Sequence, residues 1–293
     1  MQGSTSQQIV RDVLAWGLVL LFLFPVFWWV LASFKPYTAI FNTWPIYFDF
    51  EPTLNNYEVT IGGQSRINLE GGIGGQTGGA SSYYSLPSIV DSLIVAVGST
   101  FLALTLASMA AYALSRFNFK AKQHVVFFVL AQRMMPPIAV AIPLFFIFRD
   151  LGLRDTHLGL IIAHTLINLP LAVLLLKSFF DDVPRELDES AMLDGASRLQ
   201  VFYLVVLPLV KGGLAATAVL CFIFSWTEFL ISLQMTTSIR TIPVKITTFV
   251  TSTGTEWGLI TALGSAALIP SFIFILLVQR HLVRGLTLGS LKE

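Results

Sequence analysis

The chain has 293 residues, of which 55% are hydrophobic and only 12% charged, and Lys plus Arg exceed Asp plus Glu by one. A soluble domain carries about 25% charged residues, so this composition cannot cover a surface facing water and points to an integral membrane protein. A charge of +1 scattered through short loops gives no basic field and excludes a nucleic-acid partner.

Six stretches reach the length of about 20 apolar residues that a bilayer crossing needs. The first, Val13 to Phe34, is longer than a signal h-region, and Ser33-Phe34-Lys35-Pro36 is a poor cleavage site, so it is read as a retained helix. The segment from Lys35 to Pro87 is glycine-rich, above all over Gly71 to Gly79. No Gly-Lys-Ser/Thr follows these glycines, so they are read as a flexible external insertion and not as a phosphate loop. Trp44, Tyr47, Tyr57, Tyr83 and Tyr84 around it suit the membrane interface or contact with an external partner.

The second span is Ser92 to Ser115, with Asp91 at its external boundary. The third, His124 to Phe148, contains Gln132 and one charge, Arg133, roughly 13 Å from its start by the helical rise, and then Pro136-Pro137, which must interrupt the hydrogen-bond ladder. The fourth, Leu158 to Leu176, places His164 and Asn168 four residues apart on one face. In the fifth, Gly212 to Leu233, Glu228 lies roughly 24 Å along, too deep to pair simply with Arg133. The sixth is Trp257 to Val278. Runs such as FFVLA and LAVLLLK do not alternate, which excludes a transmembrane barrel. The fold class is therefore all-α integral membrane with six transmembrane helices.

Placing the N-terminus inside puts eleven of the Lys and Arg residues on the cytoplasmic side and six on the other, which orients both termini to the cytoplasm. The chain divides into 1–87 (tail, first helix and external loop), a five-helix core 88–282 and a tail 283–293.

The loop 181–207 is more polar than a simple anchor requires. Asp182 is placed to cap a short helix with Pro184 in its first turn and Glu186 and Asp188 near its positive end; Gly195 stops it and Ser197 caps a second helix. Leu187 and Ala191 share a face, with Met192, Leu193 and Ala196 nearby. The segment is a short amphipathic cytoplasmic hairpin.

Glu189-Ser190-Ala191, Asp194-Gly195-Ala196 and Leu207-Pro208-Leu209 resemble the cytoplasmic "EAA" loop of ABC importer permeases: Glu-Ala-Ala, then Gly, then Leu-Pro. Val183-Pro184-Arg185-Glu186-Leu187 is similar to the lead-in of the carbohydrate subgroup. Arg133-Met134-Met135-Pro136-Pro137, Pro143-Leu144, Leu151-Gly152-Leu153 with Asp155-Thr156, Asn168-Leu169-Pro170 and Trp226-Thr227-Glu228-Phe229 resemble further landmarks of the maltose-transporter second permease. The likeness runs from about Ser88 to the C-terminus. Departures are Ser190 for the middle Ala, Thr227 for a commoner Asn, and Gly212-Gly213 where relatives carry a proline, which predicts a more flexible entry to the fifth span.

The resemblance implies a type I ABC importer permease whose loop helix docks on a separate ATPase. Glu186, Glu189, Ser190, Ala191, Asp194, Gly195, Leu207 and Pro208 would form the ATPase-coupling element, with ATP and Mg on the partner and no cofactor, metal or catalytic residue on this chain. It further implies a second permease forming a heterodimer, an ATPase dimer at the cytoplasmic face, an external solute-binding protein and a bacterial inner-membrane location. The solute would be a carbohydrate or polyol: a mono- or disaccharide, a glycerol-type polyol or a glycosyl-glycerol. Intramembrane ionisable groups mark transport paths, so Gln132, Arg133, His164, Asn168 and Glu228 are path candidates, with helix-to-helix bonding as their alternative. An autonomous ion-coupled transporter needs acid or His relays and repeats, of which the sequence offers one buried acid and no evident repeat. A membrane enzyme would need a catalytic cluster, and none is apparent.

Overall fold

The computed structural model describes residues 5–41, 48–63, 83–251 and 254–289. The glycine run Gly71 to Gly79, Trp44, Tyr47 and the last four residues lie outside that set. The described residues fall into two compact units, one from 1–86 with 245–268 and one from 87–244 with 269–293. The stretch 245–268, which the sequence groups with the five-helix core, thus packs with the N-terminal region.

In the first unit, helix α1 (Thr5–Ser33) is long and apolar and buries none of its hydrophobic window within the chain. Its end is tied down by polar contacts. The Asn56 amide donates to the carbonyls of Ser33 and Lys35, each at 2.9 Å, and Ser33 Oγ lies 2.7 Å from the Tyr57 hydroxyl. Tyr83 is buried against Phe249. Tyr57 and Tyr83, candidates for interface or partner contact, are thereby engaged within the unit. A two-stranded antiparallel ribbon pairs Val250 with Thr255 and Thr251 with Gly254.

The second unit holds α2 (Leu86–Arg116), the bent pair α3 (Lys122–Met134) and α4 (Pro137–Asp150), and α5 (His157–Asp181). It continues with the loop helix α6 (Glu186–Leu193), then α7 (Lys211–Trp226) and α8 (Leu230–Met235). The last helix, α9 (Trp257–Gly289), belongs to both units. Among the described residues four helices are long and apolar enough to cross a membrane, and six spans result if each of two bent pairs counts as one.

The third span is therefore not a continuous helix. α3 and α4 meet at 99° because Met135, preceding a proline, is extended (φ −68°, ψ 130°), and Pro136 follows it into extended backbone. The fifth span differs as well. Its helix ends at Trp226, short of the expected Leu233, and α8 begins anew after Thr227-Glu228-Phe229. Before α7, a π-helical turn over Val201–Val206 leads to Leu207–Leu209 and a 77° bend. Pro208 has no N–H to continue the ladder there, and a π turn beside a proline is an ordinary source of a kink.

Two apolar clusters hold the unit together. One joins Ala103, Ala107 and Ala111 of α2, Leu176 and Phe180 of α5 and Phe202 and Val206 of the π turn; small residues on α2 let these helices approach closely. The other gathers Val95, Phe148, Leu160, Ile231 and Met235.

Candidate functional site

The loop helix α6 is positioned by an anchor that patterning alone did not single out. Asp188 points inward and is buried: Arg116 Nε donates to its Oδ2 at 2.9 Å and the Tyr112 hydroxyl at 3.2 Å. Both side chains of the ion pair are nearly inaccessible, at 6% for Arg116 and 9% for Asp188. Arg116 also donates to the carbonyls of Phe180 (3.1 Å) and Val183 (3.0 Å), and Arg185 donates back to the carbonyl of Ser115 (3.0 Å). Tyr112 and Arg116 lie four apart on one face of α2. That spacing, with Asp188 the acid of α6 lying between Glu186 and Glu189, is the signal that could have found them.

The remaining faces of α6 follow from this anchor. Ala191, Met192 and Ala196 pack on the first cluster beside Asp188. Leu187 is 42% and Leu193 88% exposed, so both leucines turn outward, together with Glu186, Glu189, Ser190 and Asp194. Two leucines, a small serine and three carboxylates are thus exposed on one side of the loop helix.

Both ends of α6 have defined geometry. Asp182 terminates α5 (φ −73°, ψ −16°), and the N-cap position of α6 falls to Arg185, which makes no side-chain cap; the expected Asp182 cap is not formed. At the other end Ala196 N donates to Ala191 O (3.0 Å) and Gly195 N to Met192 O (3.1 Å), a Schellman pair with Gly195 at φ +90°. Ser197 then caps the next turn reciprocally with Gln200. Leu207 packs on the first cluster, whereas Pro208 is exposed at the bend.

The polar residues of the spans separate into two groups. His164 is buried, with Nδ1 2.6 Å from Ser225 Oγ and Nε2 3.0 Å from Ser232 Oγ and 3.4 Å from Glu228 Oε2. Ser225 Oγ reaches Ser99 Oγ at 2.8 Å, so one network joins α2, α5, α7 and α8. Asn168 donates to the carbonyl of Cys221 (3.2 Å). Glu228 accepts the N–H groups of Ile231 (2.7 Å) and Ser232 (2.9 Å) and the Ser232 hydroxyl (3.0 Å), satisfying donors that the start of α8 leaves open. These three candidates thus make helix-to-helix and capping bonds. Gln132 and Arg133 are exposed on this chain, with the Arg133 guanidinium 5.1 Å from the Phe224 ring centroid. Arg133 occupies the last turn of α3, where the helix dipole favours a cation.

Removing the Glu228 carboxylate orphans two backbone donors, so Glu228→Ala is expected to destabilise the purified chain by about 2–4 kcal/mol. Thermal unfolding in detergent checks this; an unchanged midpoint would show that the cap is dispensable.

Asp155 is a further structural residue. It adopts φ +58°, and its carboxylate accepts the N–H groups of Thr237, Ser238 and Ile239 and the hydroxyls of Thr237 and Ser238, all within 3.2 Å. Burial pulls its pKa upward, but these bonds outweigh burial and hold it well below the usual carboxylate range. A depressed folded pKa adds stability that is present above the unfolded value of about 3.9 and lost as pH falls through the folded value. Asp155→Asn, whose side chain tolerates the left-handed backbone, is expected to lower stability by about 1–2 kcal/mol at pH 7. The gap to wild type should close as pH falls below 4. Parallel pH titrations of thermal midpoint test this, and a gap constant with pH would refute it.

Comparisons with known proteins bear on this geometry. Residues 103–288 match the family described as binding-protein-dependent transport system inner membrane component. The chain belongs to this family. It is 34% identical to the probable ABC transporter permease protein y4oR of Sinorhizobium fredii, over 98% of this chain and 97% of that protein. It is 33% identical to the sulfoquinovosyl glycerol transport system permease protein SmoH of Agrobacterium fabrum (92% and 89% covered). The trehalose/maltose transport system permease protein MalG of Thermococcus litoralis is likewise 33% identical (100% and 99% covered). Among solved structures, a bacterial ABC transporter involved in the import of the acidic polysaccharide alginate aligns with a TM-score of 0.69 at 20% identity, covering 96% of this chain and 99% of that one. The fold is thus that of a type I ABC importer permease, and the chain is an inner-membrane permease component of a binding-protein-dependent ABC transport system.

Proposed function

We propose that this chain is one of two different permease subunits of an ATP-driven importer for a carbohydrate or polyol. It works with an ATPase dimer docked on the face that bears α6 and with a solute-binding protein on the opposite side of the membrane, both termini lying in the cytoplasm. The observation that carries this reading is the anchored α6, with Glu186, Leu187, Glu189, Ser190 and Leu193 turned outward on a helix whose inner side is fixed to α2 and α5. Small Ser190 permits close approach, and the carboxylates suit Arg or N–H donors of a partner.

ATP and Mg belong to the ATPase, and the work of this chain is transmission. Closure of the ATPases displaces α6, and a helix bonded to the ends of two spans moves them as a body, switching access to a cavity between the permeases. A carbohydrate solute is supported by relatives named for sulfoquinovosyl glycerol and trehalose/maltose. The intramembrane acid Glu228 is occupied in capping α8, which weighs against a proton-coupled reading.

The test is affinity purification of the tagged chain from mild-detergent membranes, compared with a Glu189→Lys variant. Recovery of a second permease and an ATPase, with the ATPase reduced in the variant, is expected. A chain that transports solute without any ATPase would overturn the reading.

A further inference from the structure

We propose that Arg116 is the positioning residue that makes α6 one mechanical body with the ends of α2 and α5, and that its forked bonding, not its charge alone, couples ATP hydrolysis to import. This rests on the importer reading above. Arg116 is the last residue of α2, and its guanidinium nitrogens reach three separate segments: Nε to Asp188 on α6, Nη1 to the Phe180 carbonyl at the end of α5 and, at 3.5 Å, to the neighbouring Ser115 hydroxyl, and Nη2 to the Val183 carbonyl in the lead-in to α6. Arg185 closes the loop in the reverse direction onto Ser115. The Tyr112 hydroxyl holds the same Asp188 oxygen from one turn earlier on α2.

This arrangement exceeds what attaching a loop requires. The apolar contacts of Ala191, Met192 and Ala196 already bury the inner side of α6, whereas a buried ion pair adds little net stability over an apolar substitute. What the ion pair adds is direction. A planar guanidinium with donors on three sides resists sliding and rotation of α6 relative to both spans, and a lysine cannot reproduce that fork. A push on the outward face of α6 then reaches α2 and α5 without slippage at their ends. Asp188 Oδ1 is buried and has no hydrogen-bond partner among the described residues, so the bonds to Oδ2 are the ones that hold the carboxylate there.

The experiment uses the assembled complex in proteoliposomes and compares wild type with Arg116→Lys, Asp188→Ala and Tyr112→Phe. The readouts are ATPase recovery on purification, ATP hydrolysis, and ATP consumed per solute imported. Arg116→Lys retains a cation opposite Asp188 but not the fork, and ATP consumed per solute is expected to rise by about 2- to 30-fold, the range by which single residues alter coupling. Tyr112→Phe is expected to shift the same ratio less. Wild-type stoichiometry in Arg116→Lys would overturn the proposal. If Arg116→Lys fails to assemble, Asp188→Ala decides: it removes the acceptor that Arg116 Nε holds, so a raised ratio supports the clasp and an unchanged ratio overturns it. Absence of any ATPase from the wild-type preparation would instead sink the importer reading.

Discussion

Gly195→Val is expected to reduce solute uptake at least tenfold while the chain still inserts and folds in the membrane. Gly195 sits at φ +90°, where a side chain costs about 1–2 kcal/mol and a β-branched one more. Restoring an ordinary φ would break the Schellman pair from Ala196 and Gly195 back to Ala191 and Met192 and fray the end of α6 that carries Leu193 and Asp194. A Cβ at this position meets nothing within 4 Å, so the defect is confined to the backbone of the loop and does not spread into the spans. The order of effects should be Val greater than Ala, with Asn mildest because it tolerates the left-handed region. ATP hydrolysis stimulated by solute, measured beside membrane insertion, checks this; normal stimulation in Gly195→Val would refute it.

Gly213→Leu is expected to act in the opposite way, through the membrane core. A Cβ on Gly213 would lie 2.3 Å from the Phe179 ring, far inside contact distance, so any side chain drives α7 away from α5 or displaces a ring at the edge of the first cluster. Overpacking of this kind costs about 1–3 kcal/mol and sometimes more. Leucine should therefore lower the thermal midpoint and the folded yield sharply. Even Gly213→Ala should lower the midpoint, despite a helix-propensity gain of about 1 kcal/mol. Gly17→Ala, in open space on α1, is the control, and that gain should not be opposed there. A midpoint raised by Gly213→Ala would show that close approach is not required. Gly213 is thus explained by close packing against Phe179, and Gly212 is buried beside it.

Much of the architecture was legible because membrane solvation imposes a length and polarity rule on every span. Long apolar runs located the helices, Pro136-Pro137 announced the break between α3 and α4, and Gly195 and Ser197 marked the end of one loop helix and the start of the next. The end of the fifth span was not legible. Leu220 to Leu233 is apolar with a single acid, and only the capture of the Ile231 and Ser232 N–H groups by Glu228 starts a new helix there. Which face of α6 turns inward was not legible either, for a related reason. Periodicity grouped the leucines, but a buried arginine at the end of α2 drew Asp188 inward and turned Leu187 and Leu193 out.

The sequence by itself determined a membrane-embedded helical permease with a polar loop helix of the importer kind, since composition, span length and a local motif are properties of contiguous residues. The tertiary structure alone decided which polar residues are spent on one another. His164 with Ser225 and Glu228, Asp155 with Thr237 to Ile239, and Arg116 with Asp188 are pairings between residues 61 to 84 positions apart. Their bonds form only when distant parts of the chain pack together, and at His164 and at Arg116–Asp188 that packing excludes water and lipid.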